Sequence, residues 1–210
     1  MNFYRRNLPH LQPHGGEFFV TFNLKDSIPK SVIHELKLYK KNLLEKKSEK
    51  YSPKLTEIDK EIFLKYDSIL DNSSSGPQWL KEGAVSEIVK EALHYRDQKE
   101  YDLYTFCIMS NHVHLVFKHL VHDIENLSKH PVTDILAGLK KFTARKCNII
   151  LQRSGSFWQA ESFDRLIRND KELEKTISYT LNNPVKAGLV NRWEEWPNSY
   201  VKSEFIEAFL

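Results

Sequence analysis

Cysteine is scarce in this chain: two occur among 210 residues, and Cys107 and Cys147 lie too far apart to form a CxxC unit. Neither a disulfide framework nor a structural zinc site is indicated, so both thiols are read as small core residues. Long hydrophobic runs are also missing. No window supplies the roughly 18 apolar residues a membrane helix needs, and the first residues lack an apolar signal-peptide core. No membrane partner is expected, and the expected location is cytoplasmic. A strong excess of one charge is absent too, since 31 Lys and Arg stand against 28 Asp and Glu. The net charge of +3 permits a polyanionic partner without demanding one. No internal repeat is visible.

What is present is an ordinary globular composition, 40% hydrophobic and 28% charged, in a length that fits one domain with an insert. After the Gly15-Gly16 turn signal, Phe18, Val20 and Phe22 alternate as one face of a first strand. Ser27 is the predicted cap of a helix with Val32, Leu36, Tyr39 and Leu43 at helical spacing, and Leu55, Ile58, Ile62, Tyr66 and Ile69 mark a second. These two form a predicted helical hairpin over residues 29–70, followed by a loop at 71–77. A helix with Val85, Ile88, Val89 and Ala92 comes next, then a strand hairpin made of Tyr101–Ile108 and the segment holding His112 and His114. Thr133 is the predicted cap of a helix through Leu139, Phe142 and Ile150. A strand at 162–167 and a helix started by Asn169 and stopped near Pro184 complete the pattern. With the hairpin set aside, this order predicts an α+β fold with a ferredoxin-like antiparallel sheet and helices on one face. Residues 1–210 are read as one domain in which 29–70 is an insertion.

Side chains alternate across a strand, so His112 and His114 face one side of the sheet while Val113, Leu115 and Phe117 face the other. Two neutral imidazoles at this spacing can close on one divalent ion; the bland alternative is a pair of partly exposed, hydrogen-bonded histidines. Tyr179 and Asn183 are one helical turn apart and share a helix face. They are open to an equally bland reading, as a core aromatic and a helix-end residue.

The segments Asn111-His112-Val113-His114-Leu115, Phe157-Trp158-Gln159, Phe163-Asp164-Arg165-Leu166-Ile167-Arg168, and Tyr179 ahead of Asn183-Pro184-Val185-Lys186-Ala187-Gly188-Leu189-Val190 resemble the single-tyrosine HUH transposases. The resemblance is to their REP-associated tyrosine transposase branch in particular. It begins at Leu8-Pro9-His10, resumes at Gly76-Pro77-Gln78-Trp79-Leu80 and covers most of the chain outside the helical hairpin; Ser110 departs from it where many relatives carry Pro.

The resemblance implies that His112 and His114 are metal ligands, that Tyr179 is the nucleophile and that Asn183 is a third, polar ligand. It further implies Mg2+ or Mn2+ as cofactor, single-stranded or hairpin DNA as partner, a 5′-phosphotyrosine intermediate with strand transfer, use at the nucleoid, and either a monomer or a homodimer. Candidate phosphate contacts are Arg5 and Arg6 on an N-terminal arm, Lys140, Lys141, Arg145 and Lys146 on one helix, and Arg165 and Arg168. Arg168 has an alternative partner in Asp164 or Glu172. Two rival functions stay open. One is a non-catalytic nucleic-acid-binding module using exposed Tyr101, Tyr104 and Phe106. The other is a metal-dependent hydrolase in which Glu161 or Asp164 joins the imidazoles.

Overall fold

Alternating large apolar and polar residues at 18–23 give the central strand two different faces. Phe18, Val20 and Phe22 enter one hydrophobic core, while Phe19 enters a second and Thr21 and Asn23 present polar groups beside it. The structure, a computed structural model, describes residues 3–5, 9–46, 55–72, 76–123, 125 and 127–206. A short antiparallel ribbon pairs β1 (Phe3–Arg5) with β2 (Pro9–Leu11). The central strand β3 (Glu17–Asn23) follows, then helices α1 (Lys30–Lys46), α2 (Leu55–Asn72) and α3 (Gly83–Arg96). Strands β4 (Tyr101–Ile108) and β5 (His112–His119) form the expected hairpin. Helix α4 (Pro131–Ile150), β6 (Phe163–Ile167), α5 (Asp170–Leu181), the short α6 (Asn183–Lys186) and β7 (Ser199–Val201) come after it.

The main sheet runs β6-β3-β5-β4-β7, with every neighbouring pair antiparallel. Its first four strands are the split βαβ arrangement that the order of elements predicts. Two layers cover it. On one face, Val85, Val89 and Leu93 of α3 and Ile135, Leu136 and Leu139 of α4 bury Val113, Leu115 and Phe117. On the other, Leu173, Ile177 and Leu181 of α5 and Phe63 of α2 cover Phe19 and Val116. Both cysteines are buried, as expected of core residues.

Several local readings need correction. Ser27 stands three positions ahead of α1, and its buried hydroxyl donates to the Leu24 and Asn111 carbonyls. Thr133 lies inside α4, whose first turn is set by Pro131, and its hydroxyl meets Gln12. Phe142 and Ile150 are exposed, and Thr143 and Cys147 occupy the buried stripe instead. Trp158 Nε1 donates to that Thr143 hydroxyl at 2.8 Å, which explains a polar group on the inner face. Helix α2 continues through Asp71, where composition favours a loop. Its chain reverses at Gly76, whose φ of +94° and close approach to the Asp26 carbonyl leave no room for a Cβ. The tail lies back on the body as expected, with Trp196 Nε1 donating to the Ile108 carbonyl and Tyr200 stacked on Phe106.

Candidate active site

Strand register puts Thr21 opposite His114 and Asn23 opposite His112. His114 Nδ1 lies 2.8 Å from Thr21 Oγ1, and His112 Nδ1 lies 2.6 Å from Asn111 Oδ1. Asn111 cannot present its other end, since its Nδ2 donates to the Leu70 carbonyl at the end of α2. His112 Nδ1 must therefore carry the proton, which leaves Nε2 as a bare lone pair. The Thr21 hydroxyl can accept from His114 Nδ1, and the Asn183 Nδ2 group 3.1 Å from His114 Nε2 suits the same tautomer in the second ring. The two Nε2 atoms lie 3.1 Å apart. Burial holds both imidazoles neutral, with pKa values lowered to about 3; their mutual repulsion adds to the effect at His112, and Lys186 adds to it at His114.

Phe19 stacks on His114 and meets Tyr179 edge-on, so the apolar packing of α5 aims the tyrosine at the imidazoles. Asn169 caps α5 by accepting from the Glu172 N–H, as its sequence predicts. The helix then passes through Asn182 into α6, with Pro184 in that first turn, and Asn183 keeps the register expected of it. Its Nδ2 is 3.1 Å from His114 Nε2, while its Oδ1 is buried without a hydrogen-bond partner.

The residues that sequence reasoning missed come from α2. The Tyr179 hydroxyl donates a hydrogen bond to Asp67 Oδ2, and Asp67 Oδ1 lies 3.3 Å from His114 Nε2. One turn on, Asp71 Oδ1 is 3.7 Å from His112 Nε2, and its Oδ2 accepts from Lys186 Nζ at 3.0 Å. Asp67, His112, His114 and Asn183 expose no surface at all. Burial raises the pKa of both carboxyls, and Asp67 raises that of Asp71 further. Burial, then the neighbouring Asp67 charge, likewise pushes the Tyr179 phenol up. One signal was available in the sequence: two acidic residues at i, i+4 repel on a helix unless a cation sits near both.

The donor set fits a divalent cation. Asp67, His112 and His114 each offer a ligand atom within 4.8 Å of the others, and the planar Asn183 amide exchanges nitrogen for oxygen on a half-turn. Lys186 balances Asp71 from the outside, but facing lone pairs beside the buried Asp67 carboxylate remain mutually repulsive without a positive charge between them.

The predicted phosphate contacts do not gather here. Lys140 Nζ donates to the carbonyls of Gln159, Ala160 and Glu161, and burial lowers its pKa to about 8. Lys141, Arg145 and Lys146 are exposed on α4, across the sheet from the imidazoles. Arg165 donates to Glu172 and Thr176, while Arg168 is exposed and only its backbone N–H reaches Glu172. Arg5 falls on β1, with its side chain outside the described set, and Arg6 lies outside the described residues. Tyr101, Tyr104 and Phe106 are buried rather than exposed. Asp164 is engaged by Gln12, and the carboxylate grouped with the imidazoles among the described residues is Asp67.

No family model matches the chain. It is 31% identical over 104 residues to a REP-associated tyrosine transposase of Haemophilus influenzae, a match that takes in 47% of this chain and 58% of that relative's length. The structure of a REP-associated tyrosine transposase bound to a REP hairpin superposes with a TM-score of 0.55 at 18% identity, covering 93% of this chain and 80% of the other. In sequence over that shared stretch, and in fold over nearly its whole length, the chain is similar to the REP-associated tyrosine transposases.

Proposed function

We propose that the chain cuts and rejoins single-stranded DNA through a 5′-phosphotyrosine on Tyr179, acting on hairpin or palindromic repeat DNA. His112, His114 and Asn183 would hold Mg2+ or Mn2+, and residues 1–210 would work as one unit carrying 29–70 as an insertion. A cation bound there would neutralise the non-bridging oxygens of the phosphodiester and orient it. The phenol forms the new O–P bond as the bond to the 3′ oxygen breaks; the proton lost by the phenol balances the one the departing oxygen gains. Because the phosphodiester energy is conserved in the adduct, a second 3′ hydroxyl can reverse the step without an external energy source.

The observation that carries this reading is the convergence of a phenolic hydroxyl, an amide and two bare imidazole nitrogens on one buried point. The likeness to a transposase solved with a REP hairpin supports the choice of substrate. The binding-module reading loses its support with the burial of Tyr101 and Phe106. The hydrolase reading keeps a carboxylate in Asp67 but gives no role to a tyrosine hydrogen-bonded to it.

A labelled hairpin oligonucleotide incubated with Mn2+ tests the proposal. The expected result is a denaturant-resistant protein–DNA band that Tyr179→Phe abolishes while binding persists. Cleavage to a free 5′ phosphate that survives this substitution would establish the hydrolase instead.

A further inference from the structure

We propose that Asp67 is itself a ligand of the cation, so that the inserted helix α2 contributes to the centre rather than decorating the domain. This rests on the reading that a divalent ion sits between the imidazoles, and adds a ligand that the tyrosine and histidine motifs do not contain. Asp67 has no exposed surface, and among the described residues its ion-pair neighbour is an imidazole; Lys186 acts on it only from a distance, being paired with Asp71, and Asn183 lies alongside. Its Oδ1 has no hydrogen-bond donor and faces the Nε2 lone pair of His114. A buried carboxylate in that position is costly to ionise unless a positive charge lies against it.

Three contacts independent of Asp67 hold α2 in place. Phe63 packs on Phe19 and Phe163, Tyr66 donates to Asn23 Oδ1 at 2.8 Å, and the Leu70 carbonyl accepts from Asn111. The helix would dock here whatever stood at position 67, so the sequence puts an acid where the packing aims it. The choice also suits the metal. Two imidazoles and an amide make a nitrogen-rich set, whereas Mg2+ and Mn2+ favour carboxylate and other oxygen donors. The second oxygen, Oδ2, remains on the Tyr179 hydroxyl, so one carboxylate joins nucleophile and cation.

The test is Mn2+ binding by the full chain, followed by loss of the free-ion electron paramagnetic resonance signal, without DNA. Asp67→Asn keeps the side-chain shape and should weaken binding at least tenfold, the scale on which ligand-shell changes act. His114→Ala serves as the reference. If His114→Ala loses the ion while Asp67→Asn binds as the wild type does, the inference fails and the metal reading stands. If the wild type binds no Mn2+, both fall. Thermal unfolding separates ligation from a structural clasp. With chelator, Asp67→Asn should melt no lower than the wild type, and at a fixed Mn2+ concentration it should rise less than the wild type does. A variant that melts lower with chelator and gains as much from Mn2+ as the wild type would overturn the proposal.

Discussion

Lys140 is the clearest case of one side chain whose job differs from its apparent one. Its ammonium bridges the carbonyls of 159–161, so Lys140→Met should cost about 1–3 kcal/mol in urea unfolding by leaving those acceptors unpaired, while DNA affinity changes little. Its folded pKa of about 8 lies below the ordinary 10.5, so between these values the unfolded chain binds the extra proton. Wild-type stability should therefore rise relative to Lys140→Met as pH climbs from 8 toward 10.5; a difference that shrinks instead would remove the buried-ammonium account. The cysteines make a second residue-level case. Burial pushes Cys107 up to about 12 and Cys147 up to about 11, so the native protein should be inert to thiol reagents at pH 8 and react only on unfolding.

Among the elements, α4 and α2 have exchanged the importance that sequence suggests for them. The exposed Lys141, Arg145 and Lys146 lie across the sheet from the centre, so a DNA contact there would be with a stem or flank, away from the scissile phosphate. Replacing Lys141 and Arg145 by Glu should weaken hairpin binding and lower the salt slope by about 1.5, with cleavage position unchanged; an unaltered slope would make this a solvated face. That His112 and His114 share a sheet face and Tyr179 and Asn183 a helix face was legible because strand alternation and helical spacing are local rules. Asp67 was not, for its bond to Tyr179 spans 112 positions and its own stretch shows only a helix with an apolar stripe. Three-residue strands such as β7 are too short for alternation to register, and Thr133 lies inside its helix rather than at the cap because its hydroxyl has a long-range partner in Gln12.

For the whole molecule, the consequence is enclosure: sheet, α5 and α2 leave Asp67, His112, His114 and Asn183 no exposed surface, while Tyr179 is half-buried at the edge of the group. On the proposed reading a phosphodiester could approach the half-buried Tyr179, but it would meet the cation site only if something shifts, and the part closest to that path is the last turn of α2 beyond Asp67. It is held by the Asp71 bond to the half-exposed Lys186 and by the Asn111 bond to Leu70. Asp71→Asn should loosen that turn and release Lys186 toward the phosphate, raising the rate of adduct formation several-fold in a quenched time course. An unchanged rate would place the slow step elsewhere. Asn111 gives this turn a reach beyond its size, because the same amide that grips the Leu70 carbonyl also fixes the proton on His112. Once its nitrogen loses that carbonyl, the amide can flip and offer N–H to Nδ1, driving the ring proton to Nε2 and switching the histidine off as an electron-pair donor. Unfastening the helix end and disarming the histidine would then be a single event.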